Sequence, residues 1–202
     1  VRRGQDGRFR PALAESWTVS EDARTWTFRL KPGLRFHNGD VLDAAAAAFS
    51  IRRMQRPDIG ATLGAPGVWR QYLAEAEVDA LDDSTLRIAL TTPMADLLDI
   101  LVSGYVLPPE LADRKDFLKS PVGSGAYRAV EISGDFIRMA ANPNWQGGAV
   151  AHADVVWRRM PSPRDRIGAV ASGEAHVATR LDPGAASAAG LSAVDYVDPV
   201  SI

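Results

Sequence analysis

Three segments of the sequence alternate apolar and polar residues around a short polar turn, and this pattern limits the possible folds more than any other feature. The segments are residues 15–30, 76–90 and 126–141. Alternation with a period of two is typical of half-buried strands, and a short turn joins two such strands into a hairpin. The sequence therefore predicts a protein built on three hairpins, with Trp17 and Trp26 in its core.

The residues between the hairpins favour helices and loops. The run Ala44–Ala48 predicts a helix, because alanine is the best helix former, and Asp43 is placed to cap its first turn. This helix is expected to end near Met54. Residues 57–68 contain two prolines and three glycines and are predicted to form a loop. Residues 108–117 are predicted to form a short polar helix.

The last third of the chain has a different pattern. Asp154–Met160 is predicted to be a strand that includes Trp157 as a core residue, and a helix is expected to begin after Ser162. Ala175–Thr179 is predicted to be a second strand. A strand, a helix and a strand with short connections form a βαβ unit, which belongs to a parallel sheet. The fold class is therefore α/β, and this unit needs partner strands that the chain does not obviously supply.

Composition and motifs exclude several classes of function. The chain has no cysteine and a net charge of −2, which argues against thiol chemistry, cysteine–metal sites and nucleic-acid binding. Its three histidines, His37, His152 and His176, are far apart and have no partner at metal-ligand spacing. The turn Gly123–Gly125 leads into a strand, so it lacks the helix terminus that phosphate sites use. We expect no cofactor, no catalytic residues and no metal ligands.

Several motifs in a fixed order carry a family resemblance. They are Pro11–Trp17, Ser20–Asp22, Trp26–Leu30, Gly33–Asp40, Ser120–Tyr127, Asn142–Gly148 and Arg166–Ala178. Together they resemble the family 5 extracellular solute-binding proteins, the peptide- and nickel-binding receptors of bacterial ABC importers.

The resemblance implies a fold and a domain organisation. The expected architecture is type-II periplasmic-binding-protein-like, with a small α+β hairpin lobe and part of a larger α/β lobe. Residues 1–15 would belong to the larger lobe, residues 16–150 would form the small inserted lobe, and residues 151–202 would supply a βαβ piece of the larger lobe and a tail. Family members are longer, so we expect this chain to be an N-terminal fragment.

The resemblance also implies a function. The protein would capture a small peptide in a cleft between two lobes and deliver it to an ABC permease in the inner membrane, without catalysing a reaction. It would act in the periplasm or outside the cell, and membrane anchoring is left open. Two alternatives remain, namely a receptor for nickel or a metal chelate and an isolated lobe that binds no solute. Exposed sheet edges predict self-association of the fragment.

Three residues are candidates for ligand binding by the same resemblance. Trp69 precedes the second hairpin, in a loop context where nickel-binding relatives place an aromatic residue that faces the cleft. Tyr105 stands near the position of an arginine that grips the carboxylates of a metal chelate in those relatives, and Ser103 lies in the same segment. A tyrosine hydroxyl donates a hydrogen bond but cannot clamp a carboxylate with two parallel bonds. Simple packing is the alternative for Trp69 and Tyr105.

Overall fold

A computed structural model describes residues 1–4, 6–59 and 65–192. The chain forms two compact units in this structure. The first comprises Val1–Ile132 and Arg138–Val155, and the second comprises Ser133–Ile137 and the chain from Val156 onward. No helix in the described ranges is long and apolar enough to cross a membrane.

The secondary structure is a mixture of short helices and strands. In chain order the elements are β1 (Arg2–Arg3), β2 (Phe9–Arg10), β3 (Ala14–Val19), β4 (Thr25–Leu30), α1 (Ala44–Gln55), α2 (Ala65–Leu73), β5 (Glu77–Asp82), β6 (Thr85–Ala89), α3 (Leu97–Leu101), a 3-10 turn (Phe117–Lys119), β7 (Tyr127–Ile132), β8 (Phe136–Ala141), β9 (Asp154–Arg158), α4 (Pro163–Ala171) and α5 (Pro183–Ala188). The three predicted hairpins are confirmed as β3–β4, β5–β6 and β7–β8.

A four-stranded antiparallel sheet is the scaffold of the first unit. Its strand order is β3-β4-β6-β5, so the first hairpin pairs with the second through β4 and β6. Trp26 lies opposite Ile88, and Phe28 lies opposite Leu86. This register places apolar residues of both hairpins on the same face, because side chains two residues apart point to the same side of a strand. Strands β7, β8 and β9 form a separate sheet in that order.

The core lies between the four-stranded sheet and helix α1. Trp26 and Phe28 are buried and stacked, with ring centroids 6.2 Å apart. The indole N–H of Trp26 donates a 3.1 Å hydrogen bond to the carbonyl oxygen of Met94, so its only polar atom is satisfied inside the core. Trp17 is partly buried against the same core.

Helix α1 fits closely against the sheet because of its alanines. Ala44, Ala46, Ala47 and Ala48 are buried, and the helix packs on β5, β6 and α2. Small side chains let the helix backbone approach its neighbours without a large loss of side-chain entropy. As predicted, Asp43 caps this helix: its Oδ1 accepts a 2.8 Å hydrogen bond from the backbone N–H of Ala46.

Two predictions about connecting segments are wrong. Residues 65–68 begin helix α2 rather than a loop, since a proline in the first helical turn occupies a position where the backbone amide has no helical partner. Residues 60–64 of that predicted loop lie outside the described residues. Residues 109–116 form turns instead of a helix, and only Phe117–Lys119 make a 3-10 turn. This polar stretch buries little apolar surface, and packing is what stabilises most short helices.

The predicted βαβ unit is only partly formed. β9 and α4 are present, and Ser162 caps α4 through a 3.2 Å hydrogen bond from the N–H of Asp165. Residues 175–179 do not form a strand, because no described strand supplies the hydrogen bonds that a strand backbone requires. The prediction that Trp157 is a core residue is also wrong: it lies on the edge strand β9 and is 58% exposed.

The cap of α1 gives a first test of this fold. We expect Asp43→Ala to lower the free energy of unfolding by about 1 kcal/mol, because one amide of the first turn loses its acceptor. Urea denaturation followed by circular dichroism measures the change. Asp43→Asn keeps an acceptor oxygen and should remain close to the wild type. Equal stability of the alanine and wild-type proteins would contradict a capping role.

Candidate functional site

The first unit contains a cavity of about 840 Å³. Its walls come from stretches that are distant in the sequence but adjacent in the fold. The main contributors lie within residues 11–13, 31–37, 104–107, 121–127 and 144–147. These stretches are mostly loops and turns, held in place by the four-stranded sheet, α1 and the β7–β8 hairpin.

His37 joins two of these wall segments. Its backbone N–H donates to the carbonyl oxygen of Gly123 at 2.7 Å, and its Nδ1 accepts from the N–H of Gly123 at 3.2 Å. Since Nδ1 accepts a hydrogen bond, the ring proton of the neutral imidazole is on Nε2. Nε2 then donates to the carbonyl oxygen of Gly125 at 3.1 Å. One side chain thus fixes both ends of the turn Gly123–Gly125.

Asn142 holds the same turn from the other side. This residue is buried, and its Nδ2 donates to the carbonyl oxygen of Gly125 at 2.8 Å. Its backbone N–H donates to Ala126, and its Oδ1 accepts from the N–H of Asn144. Both the amide nitrogen and the amide oxygen of Asn142 are therefore hydrogen-bonded to backbone groups of the cavity wall, as expected for a buried amide.

Gln146 connects the last wall segment to the first turn after β4. Its Nε2 donates a 2.6 Å hydrogen bond to the carbonyl oxygen of Gly33. Gly33 has φ +69, a backbone conformation that glycine adopts without strain. The side chains of His37, Asn142 and Gln146 therefore link three loop segments into one network.

The environment of His37 changes its proton affinity. Partial burial lowers the pKa of His37 below its usual 6.5, and the charge of Arg128 acts in the same direction, while the hydrogen bond to Gly125 opposes them. Protonation would also place a hydrogen on Nδ1, which must then give up the N–H of Gly123. The neutral ring is therefore the form that builds the cavity wall.

The segment 104–107 is attached to helix α1 by a buried serine. The Oγ of Ser50 accepts a 2.9 Å hydrogen bond from the N–H of Leu107 and donates to the carbonyl oxygen of Ala46 at 2.9 Å. Leu107 lines the cavity, so the hydrogen bond to Ser50 holds this wall segment in place against α1.

The structure brings two of the three predicted ligand-binding residues together. Trp69 is 1% exposed in helix α2, and its Nε1 donates to the Oγ of Ser103 at 3.4 Å. Ser103 donates in turn to the carbonyl oxygen of Ile100 at 2.8 Å. The prediction that Trp69 lies in a loop is therefore wrong. The ring of Trp69 lies against Gly104 rather than against open space.

Tyr105, the third predicted residue, is placed differently. It is 81% exposed and lines the large cavity. With Leu13, Gly104 and Val106 it also lines a second cavity of about 70 Å³, whose walls are mostly apolar and include Trp69. The segment that carries Tyr105 thus separates a large, partly polar space from a small apolar one.

The described residues contain no group of three or more His, Cys, Asp or Glu side chains arranged to hold a metal ion. The arrangement around the cavity instead offers hydrogen-bonding side chains, turn backbone and apolar walls. Such a combination suits the binding of a small polar molecule.

Comparison with known proteins identifies the family. Residues 8–198 match the family described as bacterial extracellular solute-binding proteins, family 5 Middle. The chain belongs to this family.

Three relatives illustrate the range of the family 5 proteins. The glutathione-binding protein GsiB of Pectobacterium atrosepticum is 27% identical over 180 residues, which cover 86% of this chain and 34% of that protein. The nickel-binding periplasmic protein of Escherichia coli is 28% identical over 186 residues, with 86% and 34% covered. The structure of the ABC transporter-associated periplasmic binding protein DppA from Helicobacter pylori with the peptide STSA is 29% identical, with a TM-score of 0.70 and 82% and 36% covered.

These relatives confirm the type-II periplasmic-binding-protein-like fold class. The chain spans about a third of the length of the curated relatives that it matches.

Four of the family 5 motifs contribute residues to the cavity. They are the motifs that begin at Pro11, Gly33, Ser120 and Asn142. The role of these motifs in holding the cavity wall was not evident from the sequence, although His37 and Asn142 lie within two of them. Ser50 carries no sequence signal, because a serine within an alanine-rich helix has no pattern that marks a distant partner.

The pH dependence of stability tests the histidine network. Because the pKa of His37 is lower in the folded protein than the ordinary 6.5, the unfolded chain binds more protons as the pH falls below that value. The free energy of unfolding should therefore decrease between pH 7.5 and pH 5.5, and His37→Asn should reduce that decrease. Urea denaturation at both pH values measures it.

The exposed His176 provides a matched control for this measurement. His176→Asn should keep the wild-type pH dependence. An unchanged pH dependence in His37→Asn would contradict the assigned role of the neutral ring.

The contact between Trp69 and Gly104 gives another test. A Cβ at Gly104 would lie 2.9 Å from Cη2 of Trp69 and 3.1 Å from the carbonyl oxygen of Leu101. We expect Gly104→Ala to lower the free energy of unfolding by about 1–3 kcal/mol, as overpacked cores do. Chemical denaturation measures the loss. Gly134→Ala, where a Cβ meets nothing within 4 Å, is the control and should cost much less.

Proposed function

We propose that the chain is part of the substrate-binding component of an ABC importer and that it captures a small peptide. The observation that carries the proposal is the cavity of about 840 Å³ built by the segments that define the family. This volume lies within the range of small-molecule and cofactor sites, roughly 300–1,000 Å³. A peptide of two to five residues is the expected ligand.

A peptide suits the chemistry of the cavity. Hydroxyl and amide groups of Ser124, Tyr105 and Asn144 lie among apolar wall residues such as Leu34 and Met139. Main-chain groups of a peptide bond to such polar groups, and water fills the space that its side chains leave, so different peptides are accommodated. Two relatives support this ligand class, since glutathione is a tripeptide and the DppA structure contains a peptide.

The predicted ligand-binding residues have different roles in this proposal. Tyr105 is the one that contacts the ligand, because its side chain is exposed at the cavity. Trp69 and Ser103 position the backbone at Gly104, which precedes Tyr105, through their mutual hydrogen bond and the ring contact. They affect binding through the wall rather than by touching the peptide.

The wider proposal concerns the longer protein. Residues 1–15 and 151–202 belong to a larger lobe, and residues 16–150 belong to a smaller one. An opposing lobe in the rest of the longer protein closes over the ligand. The receptor works outside the cytoplasm and delivers its ligand to an ABC permease without catalysing a reaction. The description of the family as extracellular and the names of two relatives, which are periplasmic proteins, support this location. The fragment alone self-associates through exposed strand edges such as β9.

A receptor for nickel or a metal chelate is the second candidate. The observation in its favour is the 28% identity to the nickel-binding protein of Escherichia coli. Since the described residues hold no cluster of metal ligands, the metal would have to arrive with organic ligands that occupy its coordination sites.

Binding of defined ligands tests the proposal. Isothermal titration calorimetry and thermal denaturation of the 202-residue chain would each be run with three separate samples, namely a mixture of tripeptides, nickel chloride alone, and nickel with L-histidine. We expect heat and a raised melting temperature with the peptides, because a ligand that binds only the folded state stabilises it. Binding of nickel with histidine alone would favour the second candidate, and the absence of any binding would favour an isolated lobe.

Replacement of Tyr105 tests the predicted contact. We expect Tyr105→Ala to weaken peptide binding about tenfold, because the ligand loses an aromatic face and a hydroxyl group. Tyr105→Phe separates these two contributions and should lose less. Val41→Ala changes a similarly exposed side chain away from the cavity and should bind as the wild type. Unchanged affinity in Tyr105→Ala would remove this residue from the site.

A further inference from the structure

The charges around the large cavity have a single sign. Among the described residues, three cationic side chains line it, namely Arg2, Lys31 and Arg35, and no aspartate or glutamate does. The whole chain has slightly more acidic than basic residues, with a net charge of −2. The cations at the cavity are therefore a local concentration rather than a consequence of composition. A concave surface lined by one sign of charge focuses the field and attracts ligands of the opposite sign.

Lys31 and Arg35 are held by one ordered turn. The N–H of Lys31 donates to the carbonyl oxygen of Leu13 at 3.0 Å, which ties the start of the turn to another wall segment. Gln146 fixes the middle of the turn through Gly33, and buried Leu34 anchors it in the core. The backbone that carries both cations is therefore positioned before any ligand arrives, which reduces the entropic cost of binding.

The two cations have no carboxylate partner in the described parts of the chain. Neither Lys31 nor Arg35 has an aspartate or glutamate oxygen within the distance of an ion pair, whereas nearby Arg29 and Arg87 do. Arg35 uses Nη1 to donate to the carbonyl oxygen of Gly39 at 2.7 Å, and the rest of its guanidinium group has no protein partner there. Guanidinium and ammonium groups in this state bind carboxylates readily.

We propose that Lys31 and Arg35 form an anion-recognition patch that selects peptides with an acidic side chain. This inference rests on the proposed peptide-binding function and adds the charge of the preferred ligand. A carboxylate of the peptide bonds to Lys31 and to the free N–H groups of Arg35. Peptides with a basic side chain at the same position are repelled.

Three peptides that differ in one side chain test this patch. Calorimetry would compare Ala-Glu-Ala, Ala-Gln-Ala and Ala-Lys-Ala, together with glutarate as a dicarboxylate that is not a peptide. We expect Ala-Glu-Ala to bind about tenfold more tightly than Ala-Gln-Ala, since hydrogen bonds to charged groups are the stronger ones. Ala-Lys-Ala should bind most weakly, and high salt should reduce the differences.

Charge-neutralising variants assign the preference to the two residues. The double variant Lys31→Gln with Arg35→Gln should bind Ala-Glu-Ala and Ala-Gln-Ala equally. Arg52→Gln with Lys115→Gln removes the same charges from exposed positions outside the cavity and should keep the preference. Lys31→Gln alone removes no hydrogen bond of the fold, so its smaller effect still tests the patch if the double variant fails to fold.

The outcomes separate this inference from the proposed function. Equal binding of the three peptides by the wild type would overturn the anion patch and leave the peptide receptor intact. Binding of glutarate alone, lost in Lys31→Gln, would support the patch and overturn the peptide ligand. An acidic preference that persists in the double variant would overturn the assignment to Lys31 and Arg35. No binding of any of the four probes would overturn both.

Discussion

The carbonyl oxygen of Gly125 accepts hydrogen bonds from His37 and from Asn142, and the wall of the large cavity depends on this junction. Turns of this kind have few apolar contacts of their own, so side-chain hydrogen bonds to backbone must fix their shape. The two donors come from residues more than a hundred positions apart in the sequence, and each sits in a separate family motif. The two motifs are therefore joined in three dimensions at Gly125, and this junction forms part of the cavity wall.

The hydrophobic core determines where the remaining wall lies. Helix α1 packs against the sheet through its alanines. Its buried Ser50 accepts a hydrogen bond from the N–H of Leu107, which holds that wall segment against the helix. Trp69 supports the same segment from helix α2 at Gly104. Tyr105 follows immediately and is exposed to the cavity. A rigid scaffold that presents ligand-contacting residues on short loops is the common arrangement in binding proteins, because the scaffold supplies the order that the loops lack.

Local patterns in the sequence predicted the elements whose stability is local or periodic. The three hairpins, the cap at Asp43 and the cap at Ser162 follow from alternation and from side-chain chemistry within a few residues. Features that depend on distant partners were not predicted. The burial of Trp69 depends on a helix that begins with a proline in its first turn, and residues 175–179 have strand-like composition but no strand to pair with. The family resemblance identified the motifs but did not assign them to a cavity, and the hydrogen bonds made by His37 and Asn142 became evident only from their three-dimensional positions.

Hydrogen–deuterium exchange with and without Ala-Glu-Ala tests the central claim most directly, which is that loop segments distant in sequence form one ligand-binding surface. The account predicts that the peptide slows exchange together in residues 31–37, 104–107, 121–127 and 144–147. Helix α4, which contributes no residue to the cavity, should exchange at the same rate in both samples. Binding of the peptide with protection confined to α4, or to one wall segment alone, would contradict the claim.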